Sequence, residues 1–481
     1  MKIKLILSAP PHDPLKDKEP FMPLSLPLLA GAAPDHDYEL IDMLRSVNAI
    51  DYDAPVDLVG ISSRMTGERY AYEIADEFRR RGVPVVLGGP QISAVPFRAI
   101  EHADAVAVGE GEPLWPVIVD DVAKGELKSF YVCRPEPFDG HGRSVHQVTE
   151  WPDLTAVPRP LRELMPHHYQ FDTVFASRGC PIDCDFCGVP RMFGRHTRFR
   201  PVADVVAEID GFKGMYYLLD DTVFGRPGSY GYYLELYHAI SRLERRRLWT
   251  GQANLGAVES PEGRDVIRAA VRAGLLYAAV GMESINPKTL KRSGALAKTG
   301  LAKSDDPVER MKEQIRFLQD LGVIVSGWFA IGYEDDTIET FYKTLEFCKD
   351  VGILPVLSPV NALPGTRLHD RLRDQGKLDW SSSLTNIPHP RMTKEEVIEA
   401  LDCVVDQGYA PVERIKRSLH LARRLTAKNG FTFDLKVQGI IYSILLQHAM
   451  KGIFAQETRN LESPLSQNEI ADEAGASVRD H

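Results

Sequence analysis

The chain has 481 residues, of which 44% are hydrophobic and 26% charged, with a formal net charge of −10. That length holds two or three domains with real cores, and the composition is that of an ordinary globular protein. The acidic balance argues against nonspecific nucleic-acid binding, and no run reaches the ~18 apolar residues of a membrane span.

The N-terminus is mildly basic and then apolar, but it turns at Pro10-Pro11 too soon for a signal peptide. It predicts a buried first strand. Over the first ~115 residues short apolar runs alternate with amphipathic stretches, the pattern of a doubly wound, Rossmann-like parallel α/β sheet. Predicted strands are 3–7, 38–42, 58–62, 85–88 and 105–108. A helix is predicted over 68–81, with Tyr70, Ile74, Ala75 and Phe78 on one face. Three strands end in small or polar residues: Ser62-Ser63-Arg64-Met65-Thr66, Gly88-Gly89-Pro90-Gln91 and Gly109-Glu110-Gly111-Glu112. Small residues at carboxyl strand ends let a backbone approach a ligand in the crevice of such a sheet, although ordinary turns use the same glycines.

In this order these phrases, with Leu26-Pro27-Leu28-Leu29-Ala30, Leu40-Ile41-Asp42 and Val59-Gly60-Ile61-Ser62, resemble the N-terminal domain of B12-binding radical S-adenosylmethionine (SAM) enzymes. The resemblance implies cobalamin contacts from Ser62, Met65, Thr66, Gly88, Gly89, Gln91, Gly109, Glu110 and Gly111. Two departures stand out. Gln91 replaces the histidine that often follows Gly-Gly-Pro, and the D-x-H-x-x-G motif that offers histidine to cobalt is missing. Asp139-Gly140-His141-Gly142-Arg143-Ser144 comes near it but ends in serine. His12, after the first strand, is the lone candidate beneath cobalt, with a solvated loop histidine as the plainer account.

The domain expected over 1–135 is followed by a connector over 136–170, punctuated by Pro137, Gly140 and Gly142. Then come Cys180, Cys184 and Cys187, three cysteines in eight residues, following an apolar strand. Cys133, Cys348 and Cys403 are scattered, so no disulfide framework is indicated, and a cytoplasmic setting is expected. Three thiolates can ligate three irons of a [4Fe–4S] cubane and leave the fourth open. The plain alternative is a zinc knuckle completed by a histidine such as His196. The C-x3-C-x2-C loop resembles the radical SAM signature, where the open iron chelates SAM.

Strands predicted at 173–176, 216–219, 250–253, 277–281, 324–330 and 353–359 fit a partial (β/α)6 barrel over 171–375, with active groups at carboxyl strand ends. The resemblance implies SAM contacts from Asp220 or Asp221, Glu283 in Gly281-Met282-Glu283-Ser284, Gly332 and Asn361. A capping acid or a surface ion pair is the plainer account of each carboxylate. Gln252 and Asn254 are further pocket candidates. Tyr216, Tyr217, Tyr277 and Trp328 divide between core and substrate wall, because alternation sends half of each strand inward. A helical region is expected over 376–455, with a capping signal at Thr393 and Glu396. The basic helix 411–428 reads as a solvated face, or else as a contact to an anionic substrate or lipid headgroup. A disordered tail is expected over 456–481.

The resemblance covers about residues 1–375. It implies a cobalamin-dependent radical SAM C-methyltransferase holding a [4Fe–4S] cluster, SAM and cobalamin. Hydrogen abstraction from an unactivated carbon would be followed by methyl transfer from methylcobalamin. A B12-dependent radical SAM cyclase, oxidase or rearrangement enzyme is the alternative within the class. A cobalamin-binding sensor or carrier is the alternative outside it. Expected partners are a small-molecule or lipid substrate and a reductant such as flavodoxin or ferredoxin. Neither nucleic acid nor a membrane span is expected.

Overall fold

The structure is a computed structural model. It describes residues 1–461 apart from 12, 14, 46–49, 166–168, 302, 303, 305, 380–384 and 427–432, and apart from the side chains of 65 and 453–461. Among the described residues, contacts divide the chain into two units, one of Met1–Thr173 with Gly188–Arg200, the other of Val174–Cys187 with 201–461.

The first unit is built on seven parallel strands: β1 (Lys2–Ser8), β2 (Asp37–Asp42), β3 (Leu58–Ser63), β4 (Val85–Gly88), β5 (Ala105–Gly109), β6 (Phe130–Cys133) and β7 (Val145–Val148). Their order is β2-β1-β3-β4-β5-β6-β7. The chain leaves β1 for β2 on one side and for β3 on the other. That creates a topological switch point, where open α/β sheets take ligands. The central strands read as continuous apolar runs because both faces are covered. Ile6, Val59, Ile61, Leu87, Val106 and Phe130 join Phe78 in one core. The helix Glu68–Arg80 buries Ala71, Ile74, Ala75 and Phe78. Tyr70 is only half-buried, one position off that stripe. The stretch read as connector supplies the edge strand β7.

The second unit carries β8 (Asp172–Val174, whose last residue lies in it), β11 (Tyr216–Leu218), β12 (Trp249–Ala253), β13 (Leu275–Glu283), β14 (Ile324–Ile331) and β15 (Leu354–Pro359). Two two-residue strands, β9 (Ser177–Arg178) and β10 (Arg198–Phe199), bracket the cysteines in sequence. The six-stranded sheet runs β15-β14-β13-β12-β11-β8 in chain order, the pattern of successive βα units. Tyr216 and Trp249 stack beneath the helices, against Phe212 and Tyr237. Of the four aromatics left open between core and wall, Tyr216 is thus core.

The C-terminal helices are Lys394–Gly408, Pro411–Arg424 and Phe433–Leu461. Thr393 and Glu396 form the expected capping box. The last helix continues to Leu461, past the expected start of the disordered tail at 456; the remainder of that tail lies outside the described residues. No described helix is long and apolar enough to cross a membrane.

Candidate active site

The cysteine loop is fixed by its surroundings. Asp185 N donates to Ser293 O at 2.9 Å, Leu368 N donates to Asp185 O at 2.8 Å, and Tyr333 OH donates to Asp185 Oδ1 at 3.1 Å. Cys184 packs against Leu290 and Ala295. Arg226 Nη2 points at Cys180 Sγ from 3.5 Å. Burial pushes the Cys184 thiol up to about 12, and among its neighbours Lys298 opposes this while Glu283 and the other two thiols add to it.

Strand ends bring two carboxylates to this loop. Alternation separates the adjacent acids after β11. Asp220 is fully buried and accepts from Ala176 N, Ser177 N, Ser177 Oγ and Tyr233 OH. Four bonds from its own chain use the acceptor capacity of this carboxylate. Asp221 turns toward the loop. Burial and then the Asp220 charge push it up to about 6, against the Gly179 amide, Arg226 and Lys298.

Glu283 sits where the β13 register shifts by one residue between Gly281 and Glu283, with φ of 62°. Such bulges re-aim side chains beside active sites, and a left-handed glutamate is costly unless its surroundings enforce it. Lys298 enforces it, with Nζ 2.5 Å from Glu283 Oε1. Burial pulls Lys298 down, but Glu283 and the thiols Cys184 and Cys187 outweigh it and raise its pKa. A Cβ on Gly281 would lie 2.1 Å from Lys298 Nζ, so the glycine makes room for the pair. Sequence reasoning passed over Lys298 and Arg226. Neither belongs to a motif; only a spare cation near a thiolate loop could have flagged them.

Gly332 ends β14 with φ of 95°, its amide and that of Tyr333 donating to Asp336. Asn361 Oδ1 accepts from Asn386 N at 3.1 Å. Asn254 is buried, donating to Gly225 O and accepting from Ala257 N, so it holds a turn. Gln252 is exposed on the sheet face opposite the helices that cover Tyr216. Leu219 and Trp328 are 42% and 43% exposed there, although both belong to the strand region. Tyr277 is buried instead, hydrogen-bonded to Ser326 and edge-on to Tyr442.

In the first unit the loops after β3, β4 and β5 lie at carboxyl strand ends, as expected. Their glycines answer first to their own neighbours. A Cβ on Gly89 would lie 2.8 Å from Ser62 Oγ and from Ser63 N, and one on Gly109 would lie 2.4 Å from Cys133 O. On Gly111 it would meet Leu29 Cδ2 at 2.9 Å, whereas Gly88 has only Ala107 Cβ at 3.5 Å. Gln91 Nε2 donates to Glu68 Oε2 at 2.5 Å, and the buried Glu110 pairs with Arg198. The polar tips of Gln91 and Glu110 are therefore held by protein partners, while Ser62 is half-buried and Thr66 exposed. The Met65 side chain and His12 lie outside the described residues.

The chain is similar to several known proteins. A family profile described as the radical SAM superfamily matches residues 174–348. The chain is 28% identical to bacteriochlorophyllide d C-8(2)-methyltransferase of Chlorobaculum tepidum over 379 residues, which is 76% of this chain and 79% of that protein. It is 26% identical to hopanoid C-2 methylase of Rhodopseudomonas palustris over 418 residues, 84% of this chain and 74% of that protein. In fold it resembles the cobalamin-dependent SAM radical enzyme OxsB, solved with aqua-cobalamin and SAM bound. That match has a TM-score of 0.66 and 15% identity, and it covers 100% of this chain and 84% of that one.

Proposed function

We propose that this chain, which carries a radical SAM domain and belongs to the cobalamin-dependent radical SAM family, methylates an unactivated carbon of a small, largely apolar molecule or lipid. The observation that carries the reading is the clamped three-cysteine loop faced by Lys298, Arg226, Asp221 and Glu283. The donor set fits an iron–sulfur cluster. Its three thiols are ligands once deprotonated, and two cations stand by to offset their charge. When bound, the cluster and SAM supply hydrogen-atom abstraction, and a corrinoid supplies the methyl group.

The chain's own work is holding and orienting. Cys180, Cys184 and Cys187 ligate the cluster. Asp221 would receive the ammonium of SAM, and Lys298 would meet its carboxylate. Glu283 takes the ribose hydroxyls, and the Gly332 and Asn361 turns border the adenine. Asp220 does not touch SAM; it fixes the strand end from which Asp221 projects. Leu219, Gln252 and Trp328 are exposed on the sheet face opposite the helices that cover Tyr216, with the half-buried Tyr217 on the same face. The exposed leucine and tryptophan favour an apolar substrate there.

The switch point of the first unit, with Ser62, Met65, Thr66 and Gly88 at its rim, takes the corrinoid. Gly89, Gly109 and Gly111 shape those loops, and Gln91 and Glu110 brace them. A reductant such as flavodoxin or ferredoxin supplies electrons.

The test is anaerobic reconstitution with iron, sulfide and hydroxocobalamin, followed by incubation with SAM carrying a deuterated methyl group. The expected result is one cluster and one corrinoid per chain, SAM cleavage, and labelled methyl in a product. SAM cleavage without label transfer would favour cyclisation or oxidation. A bound corrinoid without iron or SAM cleavage would favour a sensor or carrier.

A further inference from the structure

We propose that the helices Pro411–Arg424 and Phe433–Leu461 dock this protein onto the surface of an anionic lipid bilayer. Eight of the eleven large apolar side chains exposed among the described residues lie on these two helices. The first buries Arg417 and Leu421. Half a turn away, Val412, Ile415 and Leu419 are 59%, 59% and 56% exposed. The second helix repeats the arrangement: Leu435, Ser443 and Gln447 are buried, and Val437, Ile441, Ile444 and Leu445 are exposed. Spacings of three and four residues put each exposed set on one stripe.

The rotation of these helices is fixed, so the stripes face outward by construction. Buried Arg417 donates to Gly408 O at 2.6 Å and to Gln447 Oε1 at 3.0 Å, and Gln447 Nε2 donates to Ser418 Oγ at 3.2 Å. These bonds tie the two helices side by side through their inward faces.

Charge selects the occupant. In a chain of net charge −10, the cations of this pair through residue 452, apart from buried Arg417, are Arg414, Lys416, Arg423, Arg424, Lys436 and Lys451, of which Lys416, Arg424 and Lys451 pair with Glu413, Asp320 and Asp406. Arg414, Arg423 and Lys436 have no acidic partner among the described residues. An apolar stripe flanked by cations matches the plane of an anionic membrane, where the apolar groups enter the acyl boundary and the cations meet phosphates. A second copy of the chain would cover the stripe but would bring the same cations together across a two-fold axis. No described helix can span a bilayer, so the contact is interfacial.

The proposal stands apart from the cofactor reading and is tested without turnover. Reconstituted full-length protein is floated with vesicles of phosphatidylcholine and phosphatidylglycerol, or of phosphatidylcholine alone. Light scattering reads its oligomeric state in the same buffer. Flotation with the anionic vesicles is expected, weakening as salt is raised. Val412→Gln/Ile415→Gln/Leu419→Gln should weaken it by roughly tenfold or more, since three apolar anchors are lost. Circular dichroism and iron content check that this variant folds. Arg414→Gln/Arg423→Gln/Lys436→Gln provides a second reading that spares the apolar stripe, and it should abolish the preference for phosphatidylglycerol. Absence of flotation, or flotation unchanged in both variants, would overturn the proposal. So would a wild-type dimer that the apolar variant converts to monomer without any vesicle binding.

Discussion

Asp220 receives four hydrogen bonds from its own chain, while Asp221 turns to the cysteine loop. Tyr216, Leu218 and Asp220 point one way and Tyr217, Leu219 and Asp221 the other. All four residues preceding the acids are apolar or aromatic, so the sequence offers no alternation from which to tell inward from outward. Lys298 was equally illegible, because it reaches Glu283 across fifteen residues that carry no motif. Burial raises the Asp220 pKa above 3.8, although its four donors pull it down. A carboxyl raised in the native state contributes stability below its unfolded value and loses that contribution as pH rises through its folded value. Asp220→Asn keeps an acceptor for the two amides and removes the titration. Its melting temperature should therefore fall less than that of the wild type from acid to neutral pH, with SAM binding retained. Asp220→Ala strands those donors and should cost roughly 3 kcal/mol. A SAM affinity lost in Asp220→Asn at unchanged melting temperature would return this acid to the ligand shell.

At the scale of elements, most strands were plain in the sequence because each is a short apolar run ended by turn residues. The sixth and seventh strands of the first unit were not: Phe130–Cys133 is a fully buried apolar run beyond the five predicted strands. Val145–Val148 is an edge strand with every residue only half-buried, and it includes His146 and Gln147. Its membership rests on pairing with β6, which no local pattern encodes. The loop glycines were legible as positions but not in their reason. Gly89 has φ of 97° and faces the Ser63 backbone, so its need for space comes from β3 before any ligand. Gly89→Ala should destabilise the first unit by about 2 kcal/mol or more in urea, with or without corrinoid. Gly88→Ala, with a neighbour at 3.5 Å, should stay within about 1 kcal/mol. Equal effects of the two would show that the β3 contact does not govern the loop.

For the whole molecule, both parallel sheets could be read from alternating strand and helix patterns. The assignment of Gly188–Arg200 to the first unit could not, because the chain crosses back over a stretch with no composition change. Each unit has its own buried core. Replacing Cys180, Cys184 and Cys187 together by Ala should therefore abolish iron and SAM cleavage while leaving one corrinoid per chain. Loss of both cofactors together would mean that the first unit does not fold around corrinoid independently. The clamped cysteine loop also bears on assembly. Its Asp185 is held at N, O and Oδ1 by Ser293, Leu368 and Tyr333. The loop is thus braced by bonds that do not involve its three thiols. Burial pushes the Cys184 thiol up to about 12, so a cluster bound there would have to take this sulfur as a thiolate. Binding of the cluster would therefore release protons and should be favoured in alkaline buffer.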